Sequence, residues 1–346
     1  MEPRIIKFVE AIREATDQMM ASDKNIFVVG LGVTYKSAAD GTTTGLVEKY
    51  PGRVFDVPNS EGGWTGMAVG AAINGLRPIV HHGRVEFSLL AADQIITQAA
   101  KWNYMFGGGN PVPVVLRINV GRQWGNGPQH TQSLYGLFGN ALGLKVVIPS
   151  TPRMAKGLLV SALRDQNPVV MLESRWIFPV KENVPFELYA EPLDKARVAQ
   201  QGKDITVLAY GDGFIAAHEA LELVGNEASV ELVDLVSLNP IDYETIFASV
   251  KKTGRLLTVD TTNGAFGVGS EVIAKLAQEK SIKLHEAPAA LSCPNVPVPT
   301  STVLTEEYYP TKVDIANAIL RAMHKPEITR TLTFEELHLA PQITLA

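Results

Sequence analysis

Apolar runs that do not alternate with polar residues constrain this chain most. Val112-Pro113-Val114-Val115-Leu116-Arg117-Ile118, Leu144-Lys145-Val146-Val147-Ile148 and Pro168-Val169-Val170-Met171-Leu172 are short and rich in β-branched residues. A strand with one face in water would turn polar at every second position, so these strands are expected to be buried on both faces. Asn25-Ile26-Phe27-Val28-Val29-Gly30, Arg53-Val54-Phe55-Asp56-Val57-Pro58 and Arg77-Pro78-Ile79-Val80 read as further strands. Helical spacing occupies residues 5–20, 87–104 and 153–165. Buried strands alternating with helices predict a parallel sheet covered on both sides.

A second alternating series begins at Asp204-Ile205-Thr206-Val207-Leu208-Ala209-Tyr210 and continues through Ser229-Val230-Glu231-Leu232-Val233-Asp234 and Arg255-Leu256-Leu257-Thr258-Val259. The chain has 346 residues, enough for two domains of ordinary size. The expected class is therefore α/β with two domains: residues 1–185, a polar, proline-bearing linker at 186–203, and residues 204–326. A last helix is expected over 311–323. The tail, 327–346, has no packing pattern and is expected to lie against a partner.

The formal charge of -5 offers no basic footprint, which argues against nucleic acid as a main partner. Cys293 is the only cysteine, so an intrachain disulfide and a cysteine-rich zinc site are both excluded. Met1-Glu2-Pro3-Arg4 lacks a charged-then-apolar signal and no apolar run of about 18 residues appears, so a soluble, cytoplasmic protein is the expectation.

Glu61 stands in Asn59-Ser60-Glu61-Gly62-Gly63-Trp64-Thr65-Gly66, between a strand and a small-residue helix. One reading is structural: Ser60 caps the helix and Glu61 complements its positive end. The other is functional, because Gly62, Gly63, Gly66 and Gly70 admit a backbone or a flat ligand at close range. His130, in the Gly/Pro-rich Gly125-Asn126-Gly127-Pro128-Gln129-His130-Thr131, is either a surface histidine or a proton-transfer group. His81 and His82, with Arg84, end a strand and could form a polar pocket wall; as metal ligands they lack a third partner. Phe87 opens the following helix as a core aromatic.

Two glycine-rich turns look like phosphate cradles. Gly211-Asp212-Gly213 resembles the opening of a diphosphate motif, but the downstream candidate is the single Asn239 before Pro240, and a helix-capping turn explains it as well. Gly264-Ala265-Phe266-Gly267-Val268-Gly269-Ser270-Glu271 lacks the P-loop lysine and the dinucleotide fingerprint, so it reads as a packing turn. Asp165 and Asn167, with the free carbonyls of a helix end, offer oxygen ligands to a cation or form an ion-free turn.

Taken in order, the segments resemble the beta subunit of thiamine-diphosphate-dependent 2-oxoacid dehydrogenases, in the transketolase-like superfamily. The resemblance runs through Val57-Pro58-Asn59-Ser60-Glu61, Gly75-Leu76-Arg77-Pro78, Phe87-Ser88, Asp93-Gln94-Ile95, Gly127-Pro128-Gln129-His130, Gly143-Leu144-Lys145-Val146-Val147, Asn167-Pro168-Val169-Val170 and Phe266-Gly267-Val268-Gly269. It implies a pyrimidine-binding domain followed by a transketolase C-terminal-like domain. It further implies that Glu61 hydrogen-bonds N1′ of the cofactor's aminopyrimidine, that Phe87 packs on that ring, and that His130 orients or protonates what is bound. Val114, Ala162, Leu163, Asp165 and Asn167 match positions that bind a structural potassium ion.

The same resemblance implies a separate alpha subunit holding the diphosphate and magnesium, an alpha2-beta2 assembly, and a lipoyl acyltransferase as acyl acceptor. It makes Gly211-Asp212-Gly213 a decoy. His81-His82-Gly83-Arg84-Val85-Glu86-Phe87, Arg122-Gln123-Trp124 and Val259-Asp260-Thr261-Thr262-Asn263-Gly264 depart from the family pattern, and His81, His82 and Arg122 become candidate substrate contacts. Two other readings accompany the dehydrogenase: a split transketolase-like subunit moving a two-carbon ketol unit between sugars, and a non-catalytic subunit that stabilises a partner.

Overall fold

The chain folds as two compact units in a computed structural model that describes residues 4–122 and 126–345. One unit comprises Met1–Val120, Leu137–Leu193 and Pro341–Ala346; the other comprises Gly121–Gly136 and Asp194–Ala340.

In the first unit, Lys145–Val147, Val169–Ser174, Val115–Val120, Arg77–His82, Ile26–Gly30 and Val54–Asp56 lie side by side in that order, all parallel. The third strand begins at Val115 rather than Val112. Pro113 has no N–H to give to a ladder, and the Val112 N–H is taken by the Gln166 carbonyl at 2.9 Å. Helices Phe8–Ser22 and Pro152–Arg164 pack together beside the sheet.

Two expectations need correction here, and the tail gains contacts within its own chain. The helix expected from residue 5 starts at Phe8, because Ile5–Lys7 forms an antiparallel pair with Lys181–Asn183. The helix expected over 87–104 is broken into Val85–Ser88, a 3-10 turn at Leu89–Ala91, a π-helical stretch at Asp93–Ala99 and Ala100–Met105. The tail does pack on its own chain: Thr344 bridges to Lys181, and Glu336 in the helix Phe334–His338 pairs with Lys312 at 2.7 Å.

The second unit holds the sheet Ala289–Cys293, Leu256–Asn263, Ile205–Ala209, Val230–Asp234 and Arg197–Gln200, in that order. The first four strands are parallel and the last is antiparallel. Arg197–Gln200 comes from the stretch expected to be linker. Helices Gly211–Val224 and Lys312–Ala322 pack on each other, the latter opened by a capping box between Thr311 and Asp314.

Candidate active site

Glu61 is the first residue of the helix Glu61–Ile73, directly after the loop that leaves strand Val54–Asp56. The capping explanation does not hold: Ser60 occupies the N-cap position but its side chain makes no cap hydrogen bond. Glu61 is only 7 % exposed, and its carboxylate has no hydrogen-bond or ion-pair partner among the described residues. A nearly buried carboxyl at the positive end of a helix, with no donor among the described residues, is arranged for a donor from elsewhere. The glycines serve close approach here: a Cβ on Gly62 would stand 3.0 Å from the Leu90 carbonyl, and one on Gly66 3.3 Å from Gln94 Cγ. They let Glu61's helix settle on the irregular segment that follows Phe87.

Phe87 is half-buried in the short helix Val85–Ser88, at the end of strand Arg77–His82. His81 and His82 end that strand, and each is 1 % exposed, so both lie inside the first unit and not on an open wall. His82 stacks on Trp64 with centroids 4.6 Å apart, and its Nε2 is 3.3 Å from Thr65 Oγ1. Burial pulls its pKa down to about 3, so it is neutral at pH 7. Burial and the nearby Arg117 charge also push His81 well below the usual histidine range. Trp64, Thr65 and His82 thus form a packed, neutral wall one turn from Glu61.

His130 and Arg122 belong to the second unit. His130 is half-buried, its N–H donating to the Gly127 carbonyl at 3.2 Å. Arg122 lies over the Tyr309 ring, 4.9 Å from its centroid. Gln123 and Trp124, its neighbours in the departing segment, and Gly125 of the His130 loop lie outside the described residues. Sequence reasoning missed the polar groups buried in this unit: Asp212 and Tyr309, which act on Arg122, and also Asp260, Tyr135 and Tyr210. A signal was available in Asp260 and Thr261, polar residues at the end of an otherwise apolar strand.

At the expected cation turn, the oxygens already hold partners. Arg77 Nη1 donates to the carbonyls of Leu163 at 2.9 Å and Asp165 at 3.0 Å. The Asp165 carboxylate pairs with Lys145 and accepts the Asn167 N–H at 2.8 Å. The carbonyls of Ala162 and Val114 accept from Asp165 and Val169. Among the described residues no group of three or more His, Cys, Asp or Glu side chains is placed to hold a metal ion. No helix there is long and apolar enough to cross a membrane.

Neither glycine turn is a bare phosphate cradle. Asp212 lies in the first turn of the helix Gly211–Val224 and accepts from Thr261 Oγ1 at 2.9 Å. Around Gly267, the turn packs: a Cβ on Gly269 would meet Thr258 Oγ1 at 2.6 Å, and Ser270 Oγ donates to the Gly264 carbonyl at 2.6 Å.

The transketolase pyrimidine-binding domain matches residues 5–180 and the transketolase C-terminal domain matches residues 194–315. The acetoin:2,6-dichlorophenolindophenol oxidoreductase subunit beta of Bacillus subtilis (strain 168) is 38% identical over 340 residues, 94% of this chain and 99% of that protein. The pyruvate dehydrogenase E1 component subunit beta of Porphyra purpurea is 42% identical over 294 residues, 84% of this chain and 88% of that one. A split gene transketolase, solved as an inactive beta4 tetramer, shares the fold with a TM-score of 0.75 at 23% identity, over 92% of this chain and 98% of that chain. With both domains matched in order and Glu61 opening the helix of the first, the chain belongs to the transketolase family, among the beta subunits of the 2-oxoacid dehydrogenase type.

Proposed function

We propose that this chain is the pyrimidine-activating half of a thiamine-diphosphate enzyme that cleaves a 2-oxoacid beside its carbonyl and passes the acyl unit to a lipoyl carrier. Its partner in this reading is an alpha subunit that holds the diphosphate and magnesium, in an alpha2-beta2 assembly. The observation that carries it is Glu61, nearly buried and without a donor from the described residues. That is the environment a ring nitrogen of an aminopyrimidine would complete. Bound thiamine diphosphate would supply a nucleophilic carbon and an electron sink. Glu61 would hold a proton on the ring nitrogen, Phe87 would support the ring, and His130 would orient or protonate what is bound.

The test is turnover of the chain co-purified with its alpha subunit. Glu61→Gln keeps shape but cannot exchange a proton, so kcat for dye reduction with a 2-oxoacid is expected to fall at least about 100-fold with the assembly intact. Undiminished turnover would overturn the role of Glu61. Acetoin belongs in the same substrate panel, because acetoin oxidoreductase subunits stand among the relatives. Ketol transfer between sugars without an oxidant would replace this reading with the split-transketolase one. A structural potassium ion would share the Leu163 and Asp165 carbonyls with Arg77, using their second lone pairs. A higher Tm in potassium than in sodium chloride at equal ionic strength supports that part of the proposal.

A further inference from the structure

The segment Gly121–Gly136, which carries His130, is spelled within the first sheet's sequence but belongs to the second unit. Its ends are tied. The Gly121 N–H donates to the Gln132 carbonyl at 2.9 Å, and Thr131 Oγ1 donates to the Gly127 carbonyl. Two of its glycines lie hard against the rest of the second unit: a Cβ on Gly136 would stand 2.7 Å from the Phe266 carbonyl, and one on Gly127 would collide with Thr300 Oγ1. Arg122, before His130, stacks on Tyr309, and Tyr135, after it, meets Tyr210 edge-on at 5.3 Å.

Asp212 acts by its charge on residues at both ends of the segment. It is 4 % exposed, is fixed by Thr261, and is the foremost negative charge acting on Arg122, whose pKa desolvation otherwise lowers. The same carboxylate is felt at Tyr135, where burial and its charge drive the phenol pKa well up. In the turn that resembles a diphosphate motif, the aspartate's charge therefore acts on a protein guanidinium.

We propose that Asp212, Tyr309 and Tyr135 are positioning residues that strap the His130 segment onto the second unit and so set where His130 stands during turnover. This rests on the reading of His130 as an active-site residue. Desolvated around one carboxylate, Arg122 and Tyr135 give the segment two anchor points, and His130 lies between them. Loss of the Asp212 charge leaves Arg122 desolvated without its main counter-charge, so the first anchor loosens first.

The experiment uses the complex co-purified with its alpha subunit and compares Asp212→Asn, Asp212→Glu, Tyr309→Leu and His130→Ala. Hydrogen exchange in peptides covering Gly127–Gly136 is followed beside kcat and KM, with strand Ile205–Ala209 as internal control. Asp212→Asn and Tyr309→Leu are expected to speed exchange in the segment and to lower kcat about 10- to 100-fold at little change in KM, with the control strand still protected. Asp212→Glu is expected to recover part of both. His130→Ala is expected to lose kcat with segment exchange unchanged, which separates the residue from its strap. Unchanged segment exchange in both Asp212→Asn and Tyr309→Leu overturns the strap while leaving His130's role standing. Full activity in His130→Ala overturns that role, and the strap's catalytic purpose with it. Should Asp212→Asn fail to assemble, Tyr309→Leu alone decides by the same measurements.

Discussion

Arg117 and Glu173 meet across adjacent parallel strands as a fully buried bidentate pair, with Nε 2.6 Å from Oε1 and Nη2 2.7 Å from Oε2. Both side chains are 0 % exposed, and Arg117 Nη1 has no hydrogen-bond partner among the described residues. Removing one member strands the other charge inside the first sheet. Arg117→Met or Glu173→Gln is expected to cost about 3–5 kcal/mol, read from urea midpoints. The double replacement Arg117→Met with Glu173→Leu is expected to recover most of that loss, because no isolated charge stays buried. Equal losses in the single and double variants would contradict this account.

The glycines beside Glu61 differ in what they protect. Gly62→Ala presses a Cβ to 3.0 Å from the Leu90 carbonyl, so Glu61's helix must shift. An expected drop in kcat of about tenfold or more, with the assembly retained, measures how closely Glu61 must be held. Gly70 has nothing within 4 Å of an added Cβ. Gly70→Ala is expected to raise stability by about 0.5–1 kcal/mol, since alanine restricts the unfolded chain.

Asp260 gives the stability curve one pH-dependent arm. Burial lifts its pKa from 3.8 to about 6, opposed by the Tyr210 hydroxyl and the N–H groups of Thr262 and Gly269 and reinforced by the Asp212 charge. A raised carboxyl pKa contributes stability that is complete below 3.8 and is lost as pH rises through about 6, for a total of about 3 kcal/mol. Asp260→Asn is expected to flatten this fall between pH 4 and 7. Identical pH dependence in wild type and variant would remove Asp260 as its source.

His82 works in the opposite direction. Its pKa is depressed from 6.5 to about 3, so its contribution is present above 6.5 and is lost as pH falls through about 3. At pH 5 the loss is about 2 kcal/mol. His82→Gln, which cannot charge, is expected to be relatively more stable than wild type at pH 5 than at pH 7.5, by urea midpoints at the two values.

Much of this was legible in the residues. Unbroken apolar strands between helices required a parallel sheet with both faces covered, because burial of one face alone would have admitted polar residues at every second position. The helix expected over 311–323 was legible as Lys312–Ala322, whereas the helix Phe334–His338 beyond it was not. Glu61 was legible as a carboxyl in a strand-to-helix turn, but whether Ser60 capped that helix depended on a backbone angle that no residue type announces. The single Arg117 in one apolar strand and the single Glu173 in another were a visible signal of pairing that periodicity alone does not use.

Sequence by itself determined what is local: which segments become strands or helices, since side-chain periodicity and turn residues act within a few positions. Tertiary structure alone decided which distant groups meet. Arg122 stacks on Tyr309, Asp212 accepts from Thr261, and the His130 segment sides with the second unit although it is spelled inside the first. Such partners are chosen by packing and desolvation acting across long stretches of chain, and their spacing along the sequence carries no trace of the choice.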